Sequence, residues 1–407
     1  MTEKFPAAKI TSQLEAKLPE ALRWLERMVG INSFTTNPEG INRIGALTTE
    51  AFAELGFAPE HVRSAFPEYG SHLFLQRGPA HLPPVLLVTH LDTVYPPEEE
   101  LRNDFRWQPV PEEKRIYGPG TVDIKGGTML IWLLLHALRE FAPTIFEKTH
   151  WIVAANACEE VIGDEFGELA GKRCPKGARA VLVFEGGLRE GNKFNIVTSR
   201  KGRAEYQITA HGKAAHAGSA HDKGINAVVA LSRLMEPVAA LTDYAADLTV
   251  NIATVHGGTV LNRVPHEATV ELEMRAFDPA LLQQTGDRIR ALAADPKYAG
   301  AASIVVDQSG VSPAWPGGAE TQALFQHWAK AAEKLGFIAC PTPRGGLSDA
   351  NYLYHLGPTL DGLGPAGANA HCSERSADGS KLPEYVEIDS FIPKTLLNLL
   401  ALNSLLE

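Results

Sequence analysis

The chain has 407 residues, more than one hydrophobic core usually fills, so two domains, or one domain with a large insertion, are expected. Hydrophobic residues make up 44% and charged residues 21%, an ordinary globular composition that argues against disorder. A formal net charge of −10 lacks the basic footprint that nucleic-acid or anionic-membrane binding needs as a main activity, leaving small molecules or peptides as the expected partners.

Along the chain, apolar positions recur at helical spacing over residues 12–28 and again over 44–55, the second segment closing at Gly56. The start of the chain lacks the continuous apolar core of a signal peptide, so no export is expected. Residues 85–88, 151–155 and 180–184 are short apolar runs that read as buried strands, with a helix over 128–141 between the first two. The longest apolar run, 129–138, contains His136 and is too short to span a bilayer. This alternation predicts an α/β domain with a largely parallel mixed sheet flanked by helices. From residue 199 the pattern changes to strand 203–211, helix 224–241, strands 248–255 and 266–277, helix 279–294 and strand 302–308. That β-α-β-β-α-β order predicts an inserted α+β ferredoxin-like domain over 199–311, and leaves 1–198 and 312–407 as the first domain. Helices are expected at 322–335 and 392–406, with the glycine-rich 344–379 region as loops. Cys158, Cys174, Cys340 and Cys372 show no CxxC pairing, so neither a disulfide framework nor a thiolate zinc site is indicated, and the expected location is the reducing cytoplasm.

Each of the three apolar runs of the first domain delivers acidic or imidazole groups just beyond its end: His90-Leu91-Asp92, Glu159-Glu160 and Glu185. In an open α/β sheet that is the edge where ligands collect, and carboxylates with imidazoles suit Zn²⁺ or a related divalent ion. Adjacent glutamates point different ways, so one can bind metal while the other stays available as a base. His90 and Asp92 face the same side of an extended segment, which lets Asp92 hold the imidazole through its second nitrogen. Gly118-Pro119-Gly120-Thr121-Val122-Asp123-Ile124-Lys125-Gly126-Gly127 resembles a nucleotide-binding turn. Yet Asp123 replaces the third glycine of GxGxxG and no GK[ST] follows. Asp123 would repel a pyrophosphate and attract cations; its plainer alternative is a helix cap. The run Glu98-Glu99-Glu100 sits among prolines and reads as a solvated acidic turn. His371 alone would be an ordinary surface histidine.

Together with Gly212-Lys213-Ala214-Ala215-His216-Ala217-Gly218 and the Gly345 to Asp349 loop, these motifs resemble the M20 metallopeptidases in the family's order over nearly the whole chain. That family includes glutamate carboxypeptidase, acetylornithine deacetylase, succinyl-diaminopimelate desuccinylase and aminoacylase. The resemblance implies two metal ions bridged by Asp123, one also held by His90 and Glu185 and the other by Glu160 and His371. Zinc is the expected ion, with cobalt or manganese also accommodated. It further implies Glu159 as general base and Asp92 as the partner of His90. His216 is similar to the histidine that steadies the oxyanion across a dimer. Asn262, Arg275, Gly345 and Gly346 correspond to substrate contacts, with the inserted domain as lid and homodimer interface. For His216 the alternative is a helix-capping loop residue, and for Arg275 an ion pair with Glu273 or Asp278. Glu185 stands where many deacylases have aspartate, a lean towards carboxypeptidases, while Arg344 falls out of register with an arginine of glutamate-specific relatives. The expected activity is cleavage of the amide bond of a C-terminal or N-acylated amino acid with a free carboxylate, carboxypeptidase-like. The alternatives are an N-acyl-amino-acid deacylase and a silent metal-binding homologue.

Overall fold

The computed structural model describes residues 6–161 and 163–407. The chain divides into two compact units, one of Met1–Thr198, Gly317–Pro343 and Ser348–Glu407, the other of Ser199–Pro316 and Arg344–Leu347.

In the first unit a six-stranded sheet runs in the order Ala58–Arg63, Ser71–Arg77, Trp151–Asn156, Val85–His90, Ala180–Val183, Thr359–Leu360. Trp151–Asn156, Val85–His90, Ala180–Val183 and Thr359–Leu360 are mutually parallel, and the first two strands add on antiparallel. The apolar runs are continuous because both faces are covered. Leu87, Val153 and Leu182 point into the main core with helices Ala7–Val29, Lys125–Phe141 and Phe391–Leu406. On the opposite face Phe166, from helix Asp164–Arg173, stacks on Phe74 at 5.7 Å between ring centroids. Of the stripe its spacing predicts, helix Ala7–Val29 buries Leu14, Leu25 and Met28 and packs Leu18 and Leu22, partly buried, against the core, with Ile10 and Ala21 buried besides. Helix Pro38–Phe52 starts where Asn37 accepts a hydrogen bond from the Gly40 amide, with proline at its first position, and a single 3₁₀ turn then stops at Gly56 in the left-handed conformation. Among the described residues no helix is long and apolar enough to cross a membrane.

The chain departs from its sequence pattern in several places, among them the unexpected strands Ala58–Arg63 and Ser71–Arg77 and a three-stranded sheet of Ile338–Arg344, Lys193–Arg200 and Arg189–Glu190. Residues 98–100 belong to a short helix, Pro97–Arg102, and Glu99 and Glu100 are half-buried rather than solvated. The 344–379 region contains a helical turn, Ala350–Leu353, as well as loops. A small antiparallel sheet of Gln108–Val110, Arg115–Tyr117, Tyr385–Glu387 and Gly367–Ala368 was not expected at all.

The second unit is a four-stranded antiparallel sheet in the order Thr249–Gly257, Glu267–Ala276, Gly202–His211, Ser303–Ser312. Helices Ala227–Ala239 and Pro279–Ala294 pack against it. Buried and less buried residues alternate along Gly202–His211, as they do when helices cover a single face. Tyr206, Ile208, Leu231, Leu234, Val270, Leu272 and Ile289 form a core separate from that of the first unit.

Candidate metal centre

His90 ends its strand opposite Asn156, the last residue of the neighbouring parallel strand, and Ala180–Val183 runs parallel on the other side. Three chain segments therefore leave the sheet at one edge, carrying His90 to Asp92, Glu159 with Glu160, and Glu185. Asp123 arrives from the turn that precedes helix Lys125–Phe141. A Cβ at Gly127 would lie 2.1 Å from the Phe184 carbonyl oxygen, so only glycine lets this helix start close enough to set Asp123 beside Glu185. The Asp123–Ile124 peptide is cis. His371 comes from a loop in the last part of the chain, in the left-handed region at φ 66°, and is exposed.

The five predicted ligand side chains meet. Asp123 Oδ1 lies 3.1 Å from His90 Nε2, while its Oδ2 lies 3.2 Å from His371 Nε2. Glu185 Oε1 is 3.8 Å from His90 Nε2, and Glu160 Oε2 is 3.2 Å from His371 Nε2. Ligand atoms of His90, Asp123 and Glu185 lie within 4.8 Å of one another, as do those of Asp123, Glu160 and His371, and those of His90, Glu159 and Glu160. Asp92 is buried and makes more contacts than its spacing suggested. Its Oδ1 is 3.3 Å from His90 Nδ1 and accepts from the Glu159 amide at 3.1 Å. Its Oδ2 accepts from Thr35 Oγ1 at 2.8 Å and from the Glu160 amide at 3.3 Å. One carboxylate thus fixes both the imidazole and the two-glutamate turn.

The electrostatics call for cations. Burial first, and then the neighbouring Glu185, Asp349 and Glu160 carboxylates, push the Glu159 carboxyl well above the usual range. Burial and Asp123 raise Glu160 to about 7. For Asp123, burial pushes upward but is outweighed by the hydrogen bonds and charges of His371 and His90, which hold it low. Asp123 and Glu160 in turn hold the His371 imidazole up to about 10. His90 is raised as well, because Asp123 and Asp92 outweigh its burial. So much negative charge taken out of water needs positive partners. Two imidazoles with hard oxygen ligands at this spacing are a donor set that fits divalent ions.

In the second unit His216 is exposed, and its Nδ1 accepts from the Gly218 and Ser219 amides, both at 3.1 Å. Two N–H donors on one ring nitrogen leave the proton on Nε2, which becomes an outward-facing donor. The Asn262 carbonyl accepts from the Ala217 amide at 2.9 Å, which places Asn262 next to the His216 loop. Arg275 sits elsewhere. Its guanidinium pairs with both oxygens of Glu273, at 3.0 and 3.2 Å, the alternative foreseen for it, and also donates to the Gly345 carbonyl at 3.2 Å.

Three supports escaped the sequence reading. Buried Arg200 donates to the carbonyls of Gly346 and Leu347, at 2.9 and 3.1 Å. Asp349, buried and raised by that burial to about 7, accepts from Asn156 Nδ2 at 2.8 Å. Glu384, also buried, receives hydrogen bonds around the Asp123 turn. A lone charged residue in a polar stretch carries no sequence signal of burial.

Residues 198–301 match the model of the peptidase dimerisation domain of the M20 family. Carboxypeptidase G2 of Pseudomonas sp. strain RS-16 is 30% identical over 396 residues, spanning 93% of this chain and 87% of that protein. The chain belongs to the M20 family of metallopeptidases. As a member it is a hydrolase of the peptidase and amidohydrolase type. The M20 fold extends over both units. A tripeptidase of Staphylococcus aureus subsp. aureus Mu50 superposes with a TM-score of 0.75 at 20% identity, over 96% of this chain and 98% of that one. A dinuclear metal-binding M20 peptidase of Bacillus subtilis superposes with a TM-score of 0.67 at 15% identity, over 96% and 99%.

Proposed function

We propose that the protein is a two-metal, carboxypeptidase-like hydrolase cleaving the amide bond next to an amino acid that keeps a free carboxylate, with zinc as the ion. The observation that carries this reading is Asp123, whose two carboxylate oxygens face two different imidazoles, each set completed by one glutamate. The carboxypeptidase among its relatives and the dinuclear peptidase of the same fold support it. A cytoplasmic location, resting on the sparse cysteines, belongs to the same proposal.

When bound, the ions supply Lewis acidity that polarises the scissile carbonyl and makes water a nucleophile at neutral pH. His90, Asp123 and Glu185 would hold one, and Asp123, Glu160 and His371 the other. Asp92 keeps the His90 proton on Nδ1, so that Nε2 presents its lone pair. Glu159 takes the proton from the attacking water and returns it to the leaving amine. His216, with its proton on Nε2, is the oxyanion donor to the site of the other copy across the dimer, and Asn262, Gly345, Gly346 and Arg275 bind substrate. Arg275 reads the substrate carboxylate by exchanging Glu273 for it. The test is metal stoichiometry, together with hydrolysis of dipeptides and of N-acetyl and N-succinyl amino acids by metal-loaded protein. Turnover of dipeptides supports the carboxypeptidase reading, turnover of N-acyl amino acids alone moves it to a deacylase, and two bound metals without turnover of any member point to a silent homologue.

Metal affinity should depend on pH with a definite sign. A ligand must lose its proton to bind a cation, and His371 keeps its proton up to about 10 in the metal-free protein. Affinity should therefore rise ~10-fold per pH unit for each proton displaced, between pH 7 and 9. The same raised value stabilises the metal-free protein below the unfolded imidazole value, about 6.5, and that stability is lost as the pH climbs towards the folded value. Chelator-competition titrations at pH 7, 8 and 9 check the affinity, and a flat profile would contradict it.

The homodimer belongs to the same proposal. Thr249–Gly257 is an edge strand of the second unit, and Val228, Val229 and Val255 are exposed at 36%, 42% and 52%. An unpaired edge beside apolar side chains is a template for a second copy. Light scattering should give a dimer for the wild type and a monomer for Val229→Glu combined with Val255→Glu.

A further inference from the structure

We infer that Glu384 is a positioning residue that locks the two loops bearing Asp123 and His371 into one metal-binding geometry; this rests on the proposed two-metal reading. Glu384 is fully buried, just before the strand Tyr385–Glu387 of the small sheet. Its Oε1 accepts from the amides of Val122 and Asp123 at 2.8 and 3.1 Å. Its Oε2 accepts from Tyr95 Oη at 2.8 Å and from the Gly120 amide at 3.3 Å. The three backbone amides can only donate and the Tyr95 hydroxyl donates here, so both Glu384 oxygens are held as acceptors. The buried Lys125 ammonium interacts electrostatically with Glu384 and Glu100, and Lys125 Nζ donates to the Ile31 carbonyl at 3.3 Å.

The backbone of the same residue reaches the other loop. The Glu384 amide donates to the Cys372 carbonyl at 2.7 Å, one residue after His371, and the Glu384 carbonyl accepts from the Gly118 amide at 3.3 Å. The side chain therefore grips the Asp123 turn while the main chain grips the His371 loop, and the pairing of Tyr385–Glu387 with Arg115–Tyr117 and Gly367–Ala368 keeps both in register. His371 is exposed and in the left-handed region, a conformation that persists where the surroundings impose it. Glu384 touches neither reacting atoms nor ligand side chains, and its effect passes through where Asp123 and His371 stand.

Glu384→Gln keeps the shape but replaces one acceptor oxygen by an NH₂ group, which must then face at least one backbone N–H donor. Metal affinity, measured by competition with a chromophoric chelator, should weaken roughly 10–100-fold, the usual effect of losing a group that orients a metal ligand. Tyr95→Phe removes one donor and keeps the carboxylate, and should weaken affinity by a smaller factor. The melting temperature of each metal-free variant is recorded alongside. A Glu384→Gln protein that melts lower yet binds metal as the wild type does would show that the residue only supports the fold, and would overturn the inference. If that variant does not fold, wild-type metal affinity in Tyr95→Phe overturns it instead. Asp123→Ala separates the two levels. Retention of both ions there refutes the two-metal reading itself, whereas loss there with none in Glu384→Gln refutes only the role of Glu384.

Discussion

Glu159→Gln is expected to bind both metal ions with wild-type stoichiometry and to lose turnover by about 10²–10⁴-fold, the range a positioned general acid–base contributes. The reasoning begins with the turn. The amides of Glu159 and Glu160 are both held by Asp92, so the adjacent side chains diverge from a fixed backbone. Glu160 goes to His371. Glu159 belongs neither to the set of His90, Asp123 and Glu185 nor to that of Asp123, Glu160 and His371, but it lies within 4.8 Å of ligand atoms of His90 and Glu160. It is therefore close enough to exchange a proton with a group bound between the sets without being needed to hold them. Burial and the surrounding carboxylates raise its proton affinity well above that of an ordinary glutamate, the direction a base needs. Glutamine keeps the volume and cannot take the proton. Steady-state kinetics with metal content measured on the same sample decide the matter. Loss of an ion together with turnover would make Glu159 a ligand, and a kcat within about tenfold of wild type at full metal content would remove it as the base.

The sheet edge was legible because three buried strands read as apolar runs and each ended on a carboxylate or imidazole. Asp123 was legible because it breaks a glycine pattern that would otherwise suit a phosphate. The strand Ala58–Arg63 was not, since it is exposed nearly throughout and carries Pro59, Glu60 and His61, which have no strand periodicity. Strands of two and three residues, such as Gly367–Ala368 and Tyr385–Glu387, are too short to show any period. Glu384 and Asp349 were missed for another reason. A buried carboxylate satisfied by backbone amides or an asparagine looks, in sequence, like a solvated one, and only the fold shows the donors. The proton position of His216 was likewise invisible until two backbone amides were seen on Nδ1. Arg275 shows the limit from the other side, since the residue type suited both a substrate carboxylate and the Glu273 pair it makes.

Asp123→Ala should abolish binding of both ions at once, whereas Glu160→Ala should cost only one. The contrast follows from the two oxygens of Asp123. Oδ1 completes the set with His90 and Glu185, Oδ2 the set with Glu160 and His371, and removing the side chain leaves each set with two groups. Glu160 belongs to the second set, so its loss leaves the first with all three. Activity of Asp123→Ala should fall to background, because both the Lewis acidity and the means of holding it are lost together. Stability supplies an independent readout. An ion present at about 1,000 times its Kd stabilises the folded chain by about 4 kcal/mol, enough to raise Tm by about 7 °C in a domain of this size. That metal-dependent rise should vanish in Asp123→Ala and persist in part in Glu160→Ala. The metal-free variants should also diverge from wild type in their response to pH. Without Asp123, His90 and His371 lose their principal hydrogen-bonded anion, and the stability the wild type loses as pH rises towards 10 should be smaller from the outset. Equal loss of one ion in both variants would mean that Asp123 serves a single metal and that the two sets are independent sites.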